Sequence, residues 1–460
     1  MTAWHPWGQL RSLALTAAVV LAACLFVAAS VQAAFLGQPL AGIGLVIVLS
    51  VALATPGRPE IGVTAVLALV ALSPLQVLGN PPWLLPLAGT VGLLALALLA
   101  PRAAGAPGVA LPALGPFVLA LLVVPMVSLL TTDGALDEAF PVLRALATGA
   151  MLFVAITLLL RERAQVLFVV RGLSAIAIGV GGYATFLYLS GGGGGTGFFV
   201  GTGTLVTRVA FASGSPNQVA GFLLLLVPFA AAAVLYRGPG RLLGGLALVL
   251  SVAGIYVTFS RAALIAVAVI PLFFIRPRWS VTLAPLLVLG LLLGGPEILK
   301  ERFSTLNEDG SEVATRTSFW TTGLSVFASD PLLGVGPGGF PDAYAQAKVP
   351  AKQFLPQAIF EPPPHAHNLF INTAAEQGAL GLSALVAALV AAALLSKRLR
   401  YRRVPWAQPL GRAGFAMLAA FVVHSLFDVT FLESTATTLL ALLAVLSAAD
   451  AISAREVRDG

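Results

Sequence analysis

The sequence predicts an all-α fold, a polytopic transmembrane helix bundle, and three observations carry that prediction. First, 58% of the 460 residues are hydrophobic and 10% are charged, against about 45–50% and roughly 25% in soluble globular domains. The length would suffice for two or three soluble domains, but so few charges cannot clothe their surfaces, and the mean hydropathy is +0.96. Second, apolar runs of about 20 residues, the length of one helical crossing, recur from end to end. Third, these runs lack the period-2 alternation of barrel strands. Hydrocarbon admits only helices or closed barrels, so helices remain.

Taken in order, the runs are 12–34, 37–55, 61–79, 83–101, 111–131, 139–160, 164–190, 216–236, 241–259, 260–275, 280–296, 367–395, 411–430 and 434–452. Several are short or interrupted by Gly and Pro, which allows about 11–14 full crossings. The first run has no small-residue cleavage site and is followed at once by another, so it reads as a retained helix. The chain divides into N-terminal transmembrane helices (1–296), an outer loop domain (297–366) and C-terminal transmembrane helices (367–460).

Charge sets the orientation. With the N-terminus in the cytoplasm and one crossing per run, 17 of the 26 Lys and Arg residues fall at cytoplasmic ends. The densest group is KRLRYRR at 397–403, and both termini come out cytoplasmic. Seven fall outside: Arg208, Arg261, Lys300, Arg302, Arg316, Lys348 and Lys352. The isoelectric point near 10.0 does not indicate nucleic acid, because the basic residues form no patch with interleaved aromatics. Cys24, the single cysteine, excludes an internal disulfide and a multi-cysteine metal site.

Two stretches break the helical pattern. SGGGGGTGFFVGTGT at 190–204 fits either a plain flexible linker or a lid over a lipid-facing site. The polar stretch 297–366 reads as a folded loop with a helix from Thr315 to Ser329, stopped by Asp330-Pro331 and followed by the turn-rich GVGPGGF.

Ionisable residues at membrane depth are costly and functional by default. The outer-side candidates gather at Ser260-Arg261, at Arg316 and at PPPHAHNLFINTAAEQGALG, 362–381. In the last, a helix starting near His367 puts Asn368, Asn372 and Glu376 on one face, facing the protein interior or a water-filled cavity. An imidazole titrates near about 6.5 and suits general-base work; a capping histidine is the alternative reading of His367. His365-x-His367 as a metal pair would need an improvised third ligand, Glu361 or Glu376. Arg261 opens a span on the outer side, where an orientation anchor is not expected, and guanidinium grips phosphate oxygens bidentately. Arg316, one turn before Trp320, has the same capacity, and Arg208 is a weaker lining residue. Asp428 and Glu433 read as counter-charges without a chemical role.

Three blocks resemble the O-antigen ligase and polymerase superfamily of polytopic bacterial glycosyltransferases. HNLFINTAAEQGALG, 367–381, fits that family's histidine and polar residue followed by Gly-x-x-Gly, here Gly378 and Gly381. RTSFWTTGLSVFASDPLLGVGPGGF, 316–340, is similar to its Arg-x-x-x-Trp helix and Pro-x-x-Gly-x-Gly turn, and Ser260-Arg261 is a weaker third match. The blocks cover 42 residues of the C-terminal part.

The resemblance implies about 12 spans in a GT-C-like bundle, with a long periplasmic loop containing helices. It implies an enzyme of the bacterial inner membrane acting on the periplasmic face, without a metal, a cofactor or a nucleotide sugar. Such an enzyme transfers a glycan from undecaprenyl diphosphate to a hydroxyl, with inversion. In a ligase the acceptor is a sugar of lipid A–core, and in a polymerase it is a second carrier-linked repeat. The family's essential histidine maps onto His367, and its diphosphate-binding arginines map onto Arg261 and Arg316. Arg208, Trp320, His365, Asn368, Asn372 and Glu376 are the further residues expected to line the site. Ligase is the first expectation and polymerase the second, with a protein O-oligosaccharyltransferase behind them. A lipid-linked sugar transporter is less fitting, because no two matching halves appear in the sequence.

Overall fold

A backbone in hydrocarbon must satisfy its polar groups internally, and the apolar runs accordingly fold as helices. The computed structural model describes residues 54–73, 83–99, 112–132, 136–192, 194–200, 204–211, 215–236, 240–275, 312–347 and 365–459. In chain order the elements are α1 (Pro59–Leu72), α2 (Leu84–Leu99), α3 (Gly115–Thr131), α4 (Leu136–Leu159), α5 (Arg163–Leu189), β1 (Gly194–Val200) and β2 (Thr204–Val209). Next come α6 (Pro216–Leu235), α7 (Gly240–Tyr256), α8 (Arg261–Val269, extended by a 3-10 turn Ile270–Phe273), α9 (Glu312–Ser329) and α10 (Phe340–Gln346). The last three are α11 (Leu369–Arg400), α12 (Gln408–Ser425) and α13 (Glu433–Asp459).

Eleven of the fourteen expected runs coincide with these helices. Runs 12–34 and 280–296, and nearly all of 37–55, lie outside the described residues. Among the described residues five helices, α4, α5, α6, α11 and α13, are long and apolar enough to cross a bilayer. The helices α1, α2, α3, α7 and α8 with its extension are apolar but shorter.

The all-α expectation needs one amendment. The glycine tract is not a plain linker, because Gly194–Val200 pairs with Thr204–Val209 as an antiparallel hairpin. Phe199 stands opposite Leu205, Val200 opposite Thr204, and the Val209 N–H donates to the Val257 carbonyl at 3.2 Å. The physical reason is in the sequence: FFV and LVTRV are β-branched and aromatic runs around a Gly-Thr-Gly turn.

Helix α6 is apolar all round and buried along most of its length, and α13 is buried further still, as central helices should be. Around them α6 packs on α7 and α12, α13 on α4, and α5 on α7. The α5–α7 crossing is close because glycines meet: a Cβ on Gly254 would lie 2.9 Å from the Gly181 Cα. Exposed Leu130, Leu242, Val249 and Leu394 form the outward faces that lipid covers.

Charged residues collect at the two ends of the bundle. At one end Arg402 and Arg398 pair with Asp450, Trp406 donates to Glu456 at 2.8 Å, Arg455 reaches the Arg161 carbonyl, and Arg163 lies over Trp406. At the other end lie β2, the first turns of α6 and α8, α9, α10, the 365–368 turn and the 426–432 loop. Of the basic residues sorted by side in the sequence, Arg161, Arg163, Arg398, Arg402 and Arg455 share the first end, and Arg208, Arg261 and Arg316 the second.

Candidate active site

The second end is organised around a broken helix. Asn368 caps α11: its Oδ1 accepts from the Phe370 and Ile371 N–H groups at 3.0 and 3.1 Å, and its Nδ2 donates to the Leu426 carbonyl at 3.0 Å. Ten residues on, Gly378 adopts φ 63°, ψ −163° and interrupts the helix. The polar groups freed there are satisfied by the turn after α9. Ala379 and Leu380 donate to the carbonyls of Pro331 and Leu332, while Val335 and Gly336 donate to those of Ala375 and Glu376.

This interlock needs backbones closer than a Cβ allows. A side chain on Gly378 would collide with Leu332, and one on Gly334 with Glu376. Glu376 is buried, and its carboxylate accepts from the N–H groups of Gly338 and Phe340 and from the Asn372 amide. Ser128, near the end of α3, donates to the Leu333 and Glu376 carbonyls. The polar stripe expected on one helix face therefore exists and faces inward. Its members act as a cap (Asn368) and as ties between elements (Asn372, Glu376), rather than as lining of an open cavity.

The 365–368 turn is held to place one imidazole. Asn372 Oδ1 accepts from the Ala366 N–H at 2.9 Å, and His365 Nδ1 accepts from the His367 N–H at 3.2 Å. His367 itself sits at φ +51°, a conformation that costs about 1–3 kcal/mol in a non-glycine residue and persists where surroundings enforce it. Its Nδ1 lies 3.2 Å from Asp428 Oδ1, and its ring stacks on Phe319 of α9 with centroids 5.6 Å apart.

Hydrogen-bond logic assigns the tautomers. Because His365 Nδ1 accepts, the proton of the neutral ring is on Nε2, which faces Asp428 Oδ1 at 3.8 Å. Because a carboxylate accepts, His367 carries its proton on Nδ1, and its Nε2 presents a lone pair. The His367 side chain is 26% exposed and that of Asp428 5%, so the imidazole, not the carboxylate, is the group a substrate meets.

Asp428 is fully dressed with donors. Besides His367, Oδ1 accepts from the Val429 N–H at 2.8 Å, and Oδ2 accepts from Asn217 Nδ2. Asn217 Oδ1 in turn accepts from Arg208 Nη2 at 3.1 Å, and Arg208 Nε donates to the Thr258 carbonyl at 2.9 Å. Burial alone would raise the Asp428 carboxyl, but the His367 hydrogen bond and the charges of His365, His367 and His424 outweigh it and hold the group below the ordinary carboxylate range. Burial pushes His365 down to about 4 against the pull of Asp428, with His367 and Arg316 adding to the lowering.

The expected residues thus fall into place unequally. His367 and His365 meet at Asp428, and Arg208 joins them through Asn217. Arg316 stands on α9 one turn before Phe319, near enough to His365 to act on it electrostatically. Arg261 opens α8 behind the Ser260 N-cap, three residues past the carbonyl that Arg208 grips. Phe259, just before, sits at φ +49° between Tyr188 and Tyr256. Trp320 is not the aromatic against the imidazole; Phe319 is, and the Trp320 indole N–H is buried with no partner among the described residues.

Sequence reasoning missed Asn217 and Phe319, and it read Asp428 as a counter-charge without a chemical role. The usable signal was Asp428 itself, a carboxylate at the end of an apolar run.

His365, His367 and Asp428 present ligand atoms within 4.8 Å of one another, the spacing of a metal site. Glu361 lies outside the described residues, and Glu376 is committed to the glycine-rich turn. The donor set fits a cation poorly, because both Asp428 oxygens already accept N–H groups and a metal would have to displace the His367 bond. Acid–base chemistry through His367 is what the arrangement can do.

Residues 246–386 match the family described as O-antigen ligase. The match runs from α7 into α11 and includes Arg261, Arg316, His367 and the glycine interlock; Arg208, Asn217 and Asp428 fall outside it. No curated protein matches the chain.

Proposed function

We propose that this chain, a mostly helical membrane protein whose residues 246–386 match the O-antigen ligase family, is a ligase of lipopolysaccharide biosynthesis. In this reading it transfers a glycan from undecaprenyl diphosphate to a sugar hydroxyl of lipid A–core at the periplasmic face of the bacterial inner membrane. The observation that carries the reading is the His367–Asp428 pair, at the end of the bundle away from its main basic cluster.

His367 Nε2 takes the proton of the acceptor hydroxyl as its oxygen attacks the anomeric carbon. The bond from that carbon to the diphosphate oxygen breaks, and the electron pair leaves with the diphosphate. Asp428 holds the ring by Nδ1 and stabilises the imidazolium that forms. Arg261 and Arg316 grip the leaving diphosphate, whose charge is built up in the transition state. Attack opposite the leaving group inverts the anomeric centre.

The test is transfer by purified protein from carrier-linked glycan to lipid A–core, joined to the polysaccharide profile of a deletion strain. His367→Ala should abolish transfer while leaving the membrane level intact, and Arg261→Ala or Arg316→Ala should raise the KM for the donor. Normal decoration of lipid A–core by the His367→Ala protein would overturn the general-base role. A deletion strain should lose all long chains from lipid A–core and accumulate carrier-linked polymer. A core bearing a single repeat unit would instead identify a polymerase.

A further inference from the structure

Two polar side chains beside the general base have no part in the transfer step as written above: Arg208 of β2 and Asn217 of α6. Both are half-buried, and both lie outside the stretch that matches the family.

Arg208 is placed by backbone pairing rather than by a long free side chain. The end of β2 is docked where α7 ends, by the Val209 N–H on the Val257 carbonyl at 3.2 Å and by Arg208 Nε on the Thr258 carbonyl at 2.9 Å. Val209 is fully buried, and Phe211, two residues on, is buried against Tyr183. The hairpin thus delivers a guanidinium to a fixed point.

From that point Arg208 Nη2 donates to Asn217 Oδ1 at 3.1 Å. Asn217 is itself held by the first turn of α6, where Pro216 opens the helix and Ser215 Oγ accepts from the Gln218 N–H at 3.3 Å. A side-chain amide can face either way, and its neighbours decide which. A guanidinium has no acceptor and a carboxylate has no donor. Arg208 therefore draws the amide oxygen to itself and turns Nδ2 toward Asp428 Oδ2, to which it donates. With Oδ2 held by Asn217, Oδ1 stays directed at His367 Nδ1.

We propose that Arg208 and Asn217 are positioning residues: Arg208 orients the Asn217 amide, the amide fixes the Asp428 carboxylate, and the carboxylate keeps the proton of His367 on Nδ1. The proposal rests on the general-base reading of His367. It gives the hairpin a purpose, and it separates Arg208 from Arg261 and Arg316, because Nε and Nη2 of Arg208 are committed to protein acceptors.

The chain has four histidines, few enough for nitrogen NMR on the full-length protein in nanodiscs with isotope-labelled histidine, and His367→Gln assigns the ring in question. Above its titration range wild-type His367 should show one tautomer, with the proton on Nδ1. Asn217→Ala and Arg208→Gln should each give a mixture of tautomers. In transfer assays each should lower kcat by about 10-fold or more with the acceptor KM unchanged. The double variant should fall no more than about threefold below either single one, since residues of one bridge fail together. Asn217→Asp keeps the Arg208 contact but sets a second carboxylate against Asp428, and it should be no more active than Asn217→Ala. Melting temperatures show that each variant is folded. The bridge is overturned by a wild type without the Nδ1 tautomer, by variants that keep it, by multiplying losses in the double variant, or by wild-type activity in Asn217→Asp. A donor KM raised at unchanged kcat in Arg208→Gln overturns it as well and makes Arg208 a diphosphate ligand. Mixed tautomers in the variants of a protein whose wild type transfers no glycan uphold the bridge and remove the ligase reading instead.

Discussion

His367 is held by three constraints that act on different atoms: His365 takes its backbone N–H, Asp428 takes its Nδ1 proton, and Phe319 covers one ring face. The side chain is therefore set before substrate arrives, the condition under which a general base contributes about 10²–10⁴-fold. Asp428→Asn is nearly isosteric but replaces an acceptor with an amide that also donates, favouring the wrong tautomer of His367. Transfer should fall by about 10²–10⁴-fold, with the KM values little changed and the melting temperature close to wild type. A fall confined to the KM values would assign Asp428 to binding instead. His365 makes a pH prediction with a definite sign. Its folded value, about 4, lies below the ordinary 6.5, so the folded protein prefers the neutral ring. That preference stabilises the fold fully above pH 6.5 and is lost progressively as pH falls from 6.5 towards 4, by on the order of 2–3 kcal/mol in total. A melting series from pH 7 to 4.5 should show the wild type losing more stability than His365→Gln, and parallel curves would refute the assignment. Little of this geometry was legible in the sequence beyond His367 and the arginines. Asp428 is 61 residues from His367 in the chain, and no periodicity links a turn before one helix to a loop after another.

The elements of the site are joined by glycine rather than by side-chain packing alone. At Gly378 the α11 backbone leaves helical geometry, and its unpaired groups are exchanged with those of residues 331–336. The Gly-x-x-Gly and Pro-x-x-Gly-x-Gly blocks, recognisable in the sequence as motifs, are thus the two halves of one backbone joint. The pattern was visible and its cause was not, because a motif shows which residues are small but not which strand of chain they touch. Gly378→Ala places a Cβ against Leu332 at a φ of +63°, where a side chain costs about 1–3 kcal/mol before the collision is counted. The variant should therefore lose more than about 2 kcal/mol. It should also lose transfer activity out of proportion to its folded fraction, since the break fixes the start of α11 and with it the His367 turn. A thermal melt beside a specific-activity measurement checks both parts, and an unshifted melt would show that the interlock is dispensable. The hairpin teaches the opposite lesson. Its glycines suggested a structureless tract, and the β-forming residues just after them carried the information that composition hid.

At the scale of the whole molecule, the sorting of charge in the sequence and the ends of the bundle agree, and that agreement can be tested as topology. Helix α11 is 32 residues long, about 48 Å at 1.5 Å per residue, more than the roughly 30 Å hydrocarbon core requires. Its 22 residues after Gly378 make about 33 Å, the length of a full crossing, which in the proposed topology puts the turn bearing His367 beyond the hydrocarbon at headgroup level. The opposite end of α11 carries Lys397, Arg398 and Arg400, the residues that the positive-inside rule retains in the cytoplasm. On the ligase reading, a lipid carrier presents its diphosphate at the headgroup level to Arg261 and Arg316, and a glycan too polar to enter the bilayer remains on the outer side. Orientation and chemistry therefore stand or fall together. In a Cys24→Ser background, single substitutions Ser329→Cys and Tyr401→Cys put an exposed thiol at each end. A membrane-impermeant maleimide applied to cells with a permeabilised outer membrane should label Ser329→Cys and spare Tyr401→Cys until the inner membrane is broken. Labelling in the reverse order would put His367 in the cytoplasm, where no acceptor on the outer leaflet is within reach, and the ligase reading would have to be abandoned.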